Sequence, residues 1–303
     1  MSADIIIDLH ADFASACARE LQAAGYAPPT GPAAEIIRCY ANVRNRRVRQ
    51  CPRTVYKASY VVPAHLAAGE QAFLTAVEAG ADLRPYQSTR LERADFNDGM
   101  LNDFGIQHFH LGTEPHQTKP GFMARTEPVL FALVRGDNFY SLGCYPHGSW
   151  SLTGLLDLIH VTWPDVIASS SLNRAPGGRT DSPSIEILGL RHNYTDDDVA
   201  KLRKAGINAI TKRPDGTIHV GPGGGVTLNG KSGKVAHEVA AIKGLCDRME
   251  RELKATLAPM LASGELMAQV TLRLEQRGTD TFAVVDGNRG EFDLQRRLFV
   301  PPL

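Results

Sequence analysis

An α+β fold is predicted by two periodicities that take turns along the chain. Apolar residues recur at helical spacing between capping signals at 64–80, 195–206 and 235–261, whereas 106–111 and 138–142 alternate and 129–134 is a continuous apolar run. Together they predict a central antiparallel sheet with flanking helices, then a C-terminal α+β unit carrying a long helix. The expected boundaries are an N-terminal helical and basic region at 1–58, a histidine-bearing domain at 59–168, a linker at 169–184 and a C-terminal domain at 185–303.

From Asp4 to Gly25, the residues Ile5, Ile6, Leu9, Phe13, Cys17 and Leu21 share one face, so one amphipathic helix is expected before the Ala27-Pro28-Pro29 break. Ala33 to Tyr40 starts a second helix. Ser59 to Val62 reads as a short strand stopped by Pro63. Ala64 to Gly80 is helical, with Leu66, Phe73, Leu74 and Val77 on one stripe and Gly80 as its stop. A polar connector from Pro85 to Asp98 leads to three strands, Ile106–Leu111, Val129–Val134 and Asn138–Leu142, the last two joined by a turn at Gly136-Asp137. Leu152 to Ile159 is a short helix. Past the linker, rich in Ser, Gly, Pro and Arg, come a strand (Ile185–Leu190) and a helix capped by Thr195 and the aspartates Asp196, Asp197 and Asp198, with Val199, Leu202 and Ala205 inward. A hairpin then pairs Ile207–Thr211 with Thr217–Val220 through Arg213-Pro214-Asp215-Gly216. Val235 to Leu261 is the longest helix, and strands at Met267–Leu274 and Phe282–Val285 close the chain.

Composition excludes several classes. With 43% apolar and 22% charged residues the 303-residue chain has enough apolar matter to build cores, and no run of about 18 apolar residues offers a membrane span. Met1-Ser2-Ala3-Asp4 has no basic start of the kind that opens a signal peptide, so a cytoplasmic location is expected. The five cysteines are scattered without a CxxC pair and read as thiols. Net charge is zero, but it is unevenly spread. Arg38, Arg44, Arg46, Arg47, Arg49, Arg53 and Lys57 fall between 36 and 60 with no acidic residue among them, which leaves 26 basic against 33 acidic residues elsewhere. Arg44, Arg46, Arg47, Arg49 and Arg53 are therefore candidate phosphate contacts, the competing reading being a solvated face paired with the protein's own acids.

Gly225-Val226-Thr227-Leu228-Asn229-Gly230-Lys231-Ser232 matches the phosphate-loop pattern. A nucleotide loop leaves a buried parallel strand, and Thr217–Val220 is short and hairpin-paired, so NTP is not expected and a backbone-packing loop is.

Five of the ten histidines lie between 108 and 160, and His108 and His110, two apart on a strand, would present their imidazoles to one face. His116 reads as solvated and His160 as a helix C-terminal cation. Two chemistries fit. His108, His110, Glu114 and His147 would make a three-histidine, one-carboxylate set for a divalent transition metal, and His108-x-His110-x-x-x-Glu114 followed by Gly121 resembles the first half of the cupin motif.

The alternative needs no cofactor. Leu111-Gly112, Gly121 to Arg125, the apolar run Val129–Val134, the Gly136-Asp137 turn and Asn138 to Tyr145 ending in His147 follow in an order that resembles the sheet half of RelE/ParE-superfamily ribonuclease toxins, over about 60–165. The resemblance implies Arg125 as the cation on the scissile phosphate, His147 as proton donor or acceptor, and His108 or His110 as its complement. Tyr145 and Trp150 are candidates to stack on an exposed base. The function so implied is an RNA-directed, metal-independent endoribonuclease of a toxin–antitoxin or phage-defence setting, with RNA and an antitoxin or other protein as partners. A metal-dependent enzyme and a non-enzymatic nucleic-acid or protein-binding module are the other two readings.

Overall fold

The computed structural model describes residues 4–27, 29–170, 194–212, 218–263, 269–277, 280–285, 291–293 and 298–300. In chain order the elements are β1 (Asp4–Ile7), α1 (Leu9–Ala23), α2 (Ala33–Arg46), β2 (Thr54–Lys57), α3 (Ala67–Ala79), α4 (Gly99–Phe104), β3 (Ile106–Phe109), β4 (Val129–Arg135), β5 (Asn138–Tyr145), α5 (Gly154–Thr162), α6 (Asp196–Lys204), β6 (Thr211–Lys212), β7 (Ile218–His219), α7 (Gly233–Ala262), β8 (Gln269–Arg277), β9 (Asp280–Val285), β10 (Glu291–Asp293) and β11 (Leu298–Val300). The α+β class holds. Most of the expected linker and the whole of the expected strand at Ile185–Leu190 lie outside the described residues, as does the turn at 213–216. Among the described residues no helix is long and apolar enough to cross a membrane.

The chain forms two compact units, Met1–Ala41 with His237–Leu303, and Asn42–Ala236. These differ from the expected boundaries because the chain ends meet. Ile5-Ile6-Ile7 form not the first turns of a helix but strand β1, which pairs in parallel with β8 from Asp4↔Gln269 to Ile7↔Leu272. Helix α1 starts one residue later, where the Asp8 side chain accepts the Ala11 N–H at 2.8 Å. In this unit Leu9, Leu253, Leu257 and Leu272 share one buried cluster, and Ala14, Cys17 and Ile37 share another. Helical periodicity was present from residue 5, but three consecutive β-branched residues suit a strand, and a partner some 265 positions away decides it.

The second unit is built on a four-stranded sheet of order β2-β5-β4-β3. It is mixed rather than antiparallel, because β2 runs parallel to β5. That strand begins at Thr54, ahead of the expected Ser59–Val62, and the expected boundary at 58/59 therefore falls just behind an edge strand of the sheet. One face packs on α3 through Phe73, Val77, Phe109, Leu130 and Phe139. The other packs on α5 through Phe131, Leu133, Leu142, Leu155 and Ile159, each at most 2% exposed. Burying a side chain of this size stabilises by about 1.5–3 kcal/mol, so the two faces fix the sheet firmly between its layers. Helix α3 stops as expected at Gly80, whose φ of 71° is the left-handed cap, and a side chain there would strike Cys51 and Pro52 within 3 Å. Helix α6 starts at the expected Thr195 cap, which Asp198 completes into a capping box; Val199 is buried and Leu202 half-buried, but Ala205, expected inward, is exposed because it sits past the helix end.

Register slips between Phe131 and Ala132, where β5 carries one residue more than β4: Phe131 faces Gly143 and Ala132 faces Ser141. Before this bulge Tyr140 and Leu142 point to the α5 face. After it Tyr145 does, packing on Phe131 at 5.8 Å between ring centroids, while Cys144 turns to the α3 face. Unbroken alternation would have reversed those two.

Candidate functional site

His108 stands on β3 opposite Phe131 of β4, on the face that also takes Tyr145 and Trp150. His110 lies just past the strand, its backbone N–H bound to the Tyr86 carbonyl at 2.7 Å. Thr126 fixes the ring from the other side: its N–H donates to His110 Nδ1 at 3.1 Å, and its hydroxyl accepts the Leu111 N–H at 3.0 Å. Since Nδ1 is an acceptor, the His110 proton resides on Nε2. His147 follows β5, its backbone N–H held by Glu127 Oε1 at 2.6 Å, and Arg125 Nη2 lies 2.9 Å from His147 Nε2. A guanidinium only donates, so His147 Nε2 accepts and the ring carries its proton on Nδ1.

The three rings form a triangle, with centroids 6.2 Å apart for His108 and His110, 6.4 Å for His108 and His147, and 6.0 Å for His110 and His147. Trp150 stands against two of them, 4.6 Å from His108 and 4.8 Å from His147. Its backbone carbonyl accepts from Arg203 Nη1 at 2.5 Å, and Arg203 is itself held by the buried Asp103 carboxylate at 2.8 Å. Burial drives the Asp103 pKa up, and the Arg203 charge works against that shift.

All three imidazoles are disposed to be neutral. Burial pushes His110 down to about 4, helped by the neighbouring His108 and Arg125. Burial likewise lowers His108, with His147, Arg125 and Arg90 adding to the effect and Asp98 opposing it. The more open His147 is also lowered, first by desolvation and then by Arg125, against Glu127. Cations around these rings make the site receptive to an anion, and a bound anion would draw protons back.

His108 and His147 open into a cleft of about 270 Å³ lined also by Arg90, Arg125 and Arg203, with Phe96 and Trp150 as aromatic walls, while His110, 2% exposed, stands behind its lining. No protein-family model, curated protein or solved structure matches this chain. What the site does must be read from its side chains.

His108, His110, Arg125, His147 and Trp150 are thus brought together as the sequence suggests, and Tyr145 lies behind Phe131, against the same core. The basic block is not. Arg46 is 2% exposed and donates to the carbonyls of Asn42, Arg90, Arg93 and Ala94, and Arg53 is 5% exposed and serves those of Arg49, Cys51 and Gly136. As candidate phosphate contacts these two are corrected: their guanidiniums hold loops. Arg49 is exposed and paired with Asp137 at 3.2 Å, while Arg44 lies exposed and Arg47 half-buried on the same stretch. The four-ligand metal set does not assemble either. Glu114 is exposed and its carbonyl takes the Ala124 N–H, and among the described residues no three of His, Cys, Asp and Glu are placed to hold a metal ion.

The glycine-rich loop packs as a structural turn. It follows the two-residue β7, which is antiparallel to β6, and the loop closes on itself through Thr227 N–H to the Lys231 carbonyl at 2.8 Å. Its Gly225 presses on Asn208, whose amide bridges Val226.

Sequence reasoning passed over Arg90, Phe96 and Asp98, all in the connector before α4. A signal was there: Arg90, Arg93 and Phe96 interleave cations with an aromatic ring, and Asp98 before Gly99 is an N-cap, accepting the Leu101 N–H at 3.0 Å.

Proposed function

We propose that the cleft is the active site of a metal-independent endoribonuclease, a toxin-like protein acting on cytoplasmic RNA in a toxin–antitoxin or phage-defence setting. One observation carries the reading: an arginine hydrogen-bonded to an exposed histidine, with a second imidazole, His108, 6.4 Å away in the same cleft, which is walled by aromatic side chains. A phosphodiester entering the cleft would attract Arg125, whose planar fork suits phosphate oxygens, and the move frees His147 Nε2. That nitrogen takes the proton of the ribose 2′-OH as the 2′-oxygen attacks the adjacent phosphorus. The bond from phosphorus to the 5′-oxygen breaks, leaving a 2′,3′-cyclic phosphate and a 5′-OH end. The leaving oxygen needs a proton, and His108 is the better donor: His110 spends Nδ1 on Thr126 and cannot carry two ring protons without losing that bond. Arg125 is then a donor to the charge that builds on the phosphoryl oxygens, with the buried His110 close behind His108 and His147.

The test is cleavage of a short RNA by purified protein in the presence of a chelator, with end-group analysis. The expected outcome is cyclic-phosphate ends, with rates about 10²–10⁴-fold lower for His147→Ala, the range that one acid–base group supplies. RNA left intact by the wild type would overturn the reading. Activity lost to the chelator and restored by a divalent metal would replace it with the metal-dependent alternative.

A further inference from the structure

The stretch from Pro85 to Asp98, between α3 and α4, carries five charged side chains, and four of them are matched. Glu92 binds Lys119 at 2.7 Å, Arg93 binds Asp95 at 3.1 Å, and Asp98 caps α4 through the Leu101 N–H. Arg90 is the exception. It is exposed, lines the cleft, and among the described residues has no carboxylate within ion-pair distance. Arg125 likewise has no carboxylate partner there and donates instead to His147, whereas Arg203 is countered by Asp103. Of the side chains lining the cleft only Asp98 is acidic, so two unmatched guanidiniums outnumber it and the cleft attracts anions.

Arg90 is also held in place. Two buried polar side chains of α2 fasten the backbone around it: Arg46 donates to the carbonyls of Arg90, Arg93 and Ala94, and the Asn42 amide to those of Ala94 and Phe96. The Arg90 guanidinium carbon lies 5.2 Å from the centroid of the Phe96 ring. A cation resting on an aromatic ring keeps its N–H groups for another acceptor, and a long side chain already confined loses less freedom when it binds.

The two unmatched arginines are not equivalent. Arg125 touches His147, while Arg90 makes no hydrogen bond to an imidazole, and of the two charges Arg125 acts the more strongly on both His108 and His147. Arg90 therefore stands farther from the reacting nitrogens. A phosphate bound at the histidines engages Arg125 and leaves Arg90 for a second anion, and a nucleic-acid strand supplies one at every nucleotide.

We propose that Arg90 is a flanking-phosphate contact, which takes the phosphodiester next to the one that Arg125 holds at the histidines, so that the cleft grips two successive phosphates of a single strand. The inference rests on the reading that the cleft takes RNA, and assigns a role to a residue outside the acid–base set.

Equilibrium binding of thymidine 3′-monophosphate and thymidine 3′,5′-bisphosphate to the full chain tests the contact apart from catalysis. The bisphosphate should bind roughly 10- to 100-fold more tightly, as expected for an added hydrogen bond between charged groups. Arg90→Gln should bring the two to within about threefold with monophosphate binding unchanged, and Arg93→Gln, from the same stretch but outside the cleft lining, should keep the wild-type ratio. On a single-stranded DNA oligonucleotide, which lacks the attacking hydroxyl, Arg90→Gln should make the slope of log affinity against log salt shallower by about 0.7, the share of one phosphate. Equal binding of the two nucleotides by the wild type, or a bisphosphate preference and salt slope that survive Arg90→Gln, overturns the contact. An equal loss of both nucleotides in that variant also overturns it, by putting Arg90 on the same phosphate as Arg125. If RNA is then still cut in a His147-dependent manner, only the Arg90 contact falls. Arg90-dependent bisphosphate binding without any His147-dependent cleavage keeps the contact and removes the nuclease.

Discussion

Replacing Arg46 by alanine should unfold the second unit more easily while leaving any direct phosphate contact untouched. The magnitude follows from what the guanidinium does. A short bond, 2.6 Å to the Arg93 carbonyl, is charge-assisted and buried, worth about 1.5–3 kcal/mol. The bonds to Asn42, Arg90 and Ala94 are 3.3–3.4 Å and contribute little each. Those acceptors are not orphaned by the change: Arg90 O also receives the Arg93 N–H, Arg93 O the Phe96 N–H, and Ala94 O the Asn42 amide. The short bond and the contact with Phe96 alone contribute about 3 kcal/mol. With a urea slope of roughly 2 kcal/mol/M, the midpoint should fall by about 1.5 M. Arg49→Ala is the control, since its pair with Asp137 is exposed and should not shift the midpoint measurably. An Arg46→Ala protein with a wild-type midpoint and reduced affinity for RNA would refute the reasoning and restore Arg46 as a phosphate ligand.

Acid should weaken the protein through His110. Its folded pKa of about 4 lies below the ordinary value of 6.5, so the unfolded chain binds the proton more readily; the stability is fully present above pH 6.5 and is lost as pH falls toward 4. The whole effect is about 3 kcal/mol, and His110→Asn, which retains an acceptor for the Thr126 N–H, should flatten that pH dependence; parallel wild-type and variant curves between pH 7 and 4 would contradict it. Gly221→Ala should destabilise the second unit severely, because a Cβ there would come 2.2 Å from Asp103 Oδ1 and 2.3 Å from its carbonyl oxygen, displacing the acid that holds Arg203 and, through it, Trp150. Thermal melting within a degree or two of wild type would show that the loop gives way instead.

Local rules in the sequence determined the elements whose partners are close by. The α3 stop at Gly80, the β4–β5 turn at Gly136-Asp137, the capping box at Thr195 and the long C-terminal helix all depend on φ preferences, caps and periodicity within a few residues. The same holds for the histidine pair, since two positions along a strand share a face. Tertiary structure decided what distance along the chain conceals. It turned Ile5-Ile6-Ile7 into a strand by supplying β8, and a bulge within β5 turned Tyr145 toward the histidine face. It also sorted arginines that look alike in sequence: Arg46 and Arg53 are enclosed by carbonyls, while Arg90 is left at the cleft. Charge is a property of the residue, but whether it faces a carbonyl, a carboxylate or an open cleft is a property of packing, and only packing placed Arg125 on His147.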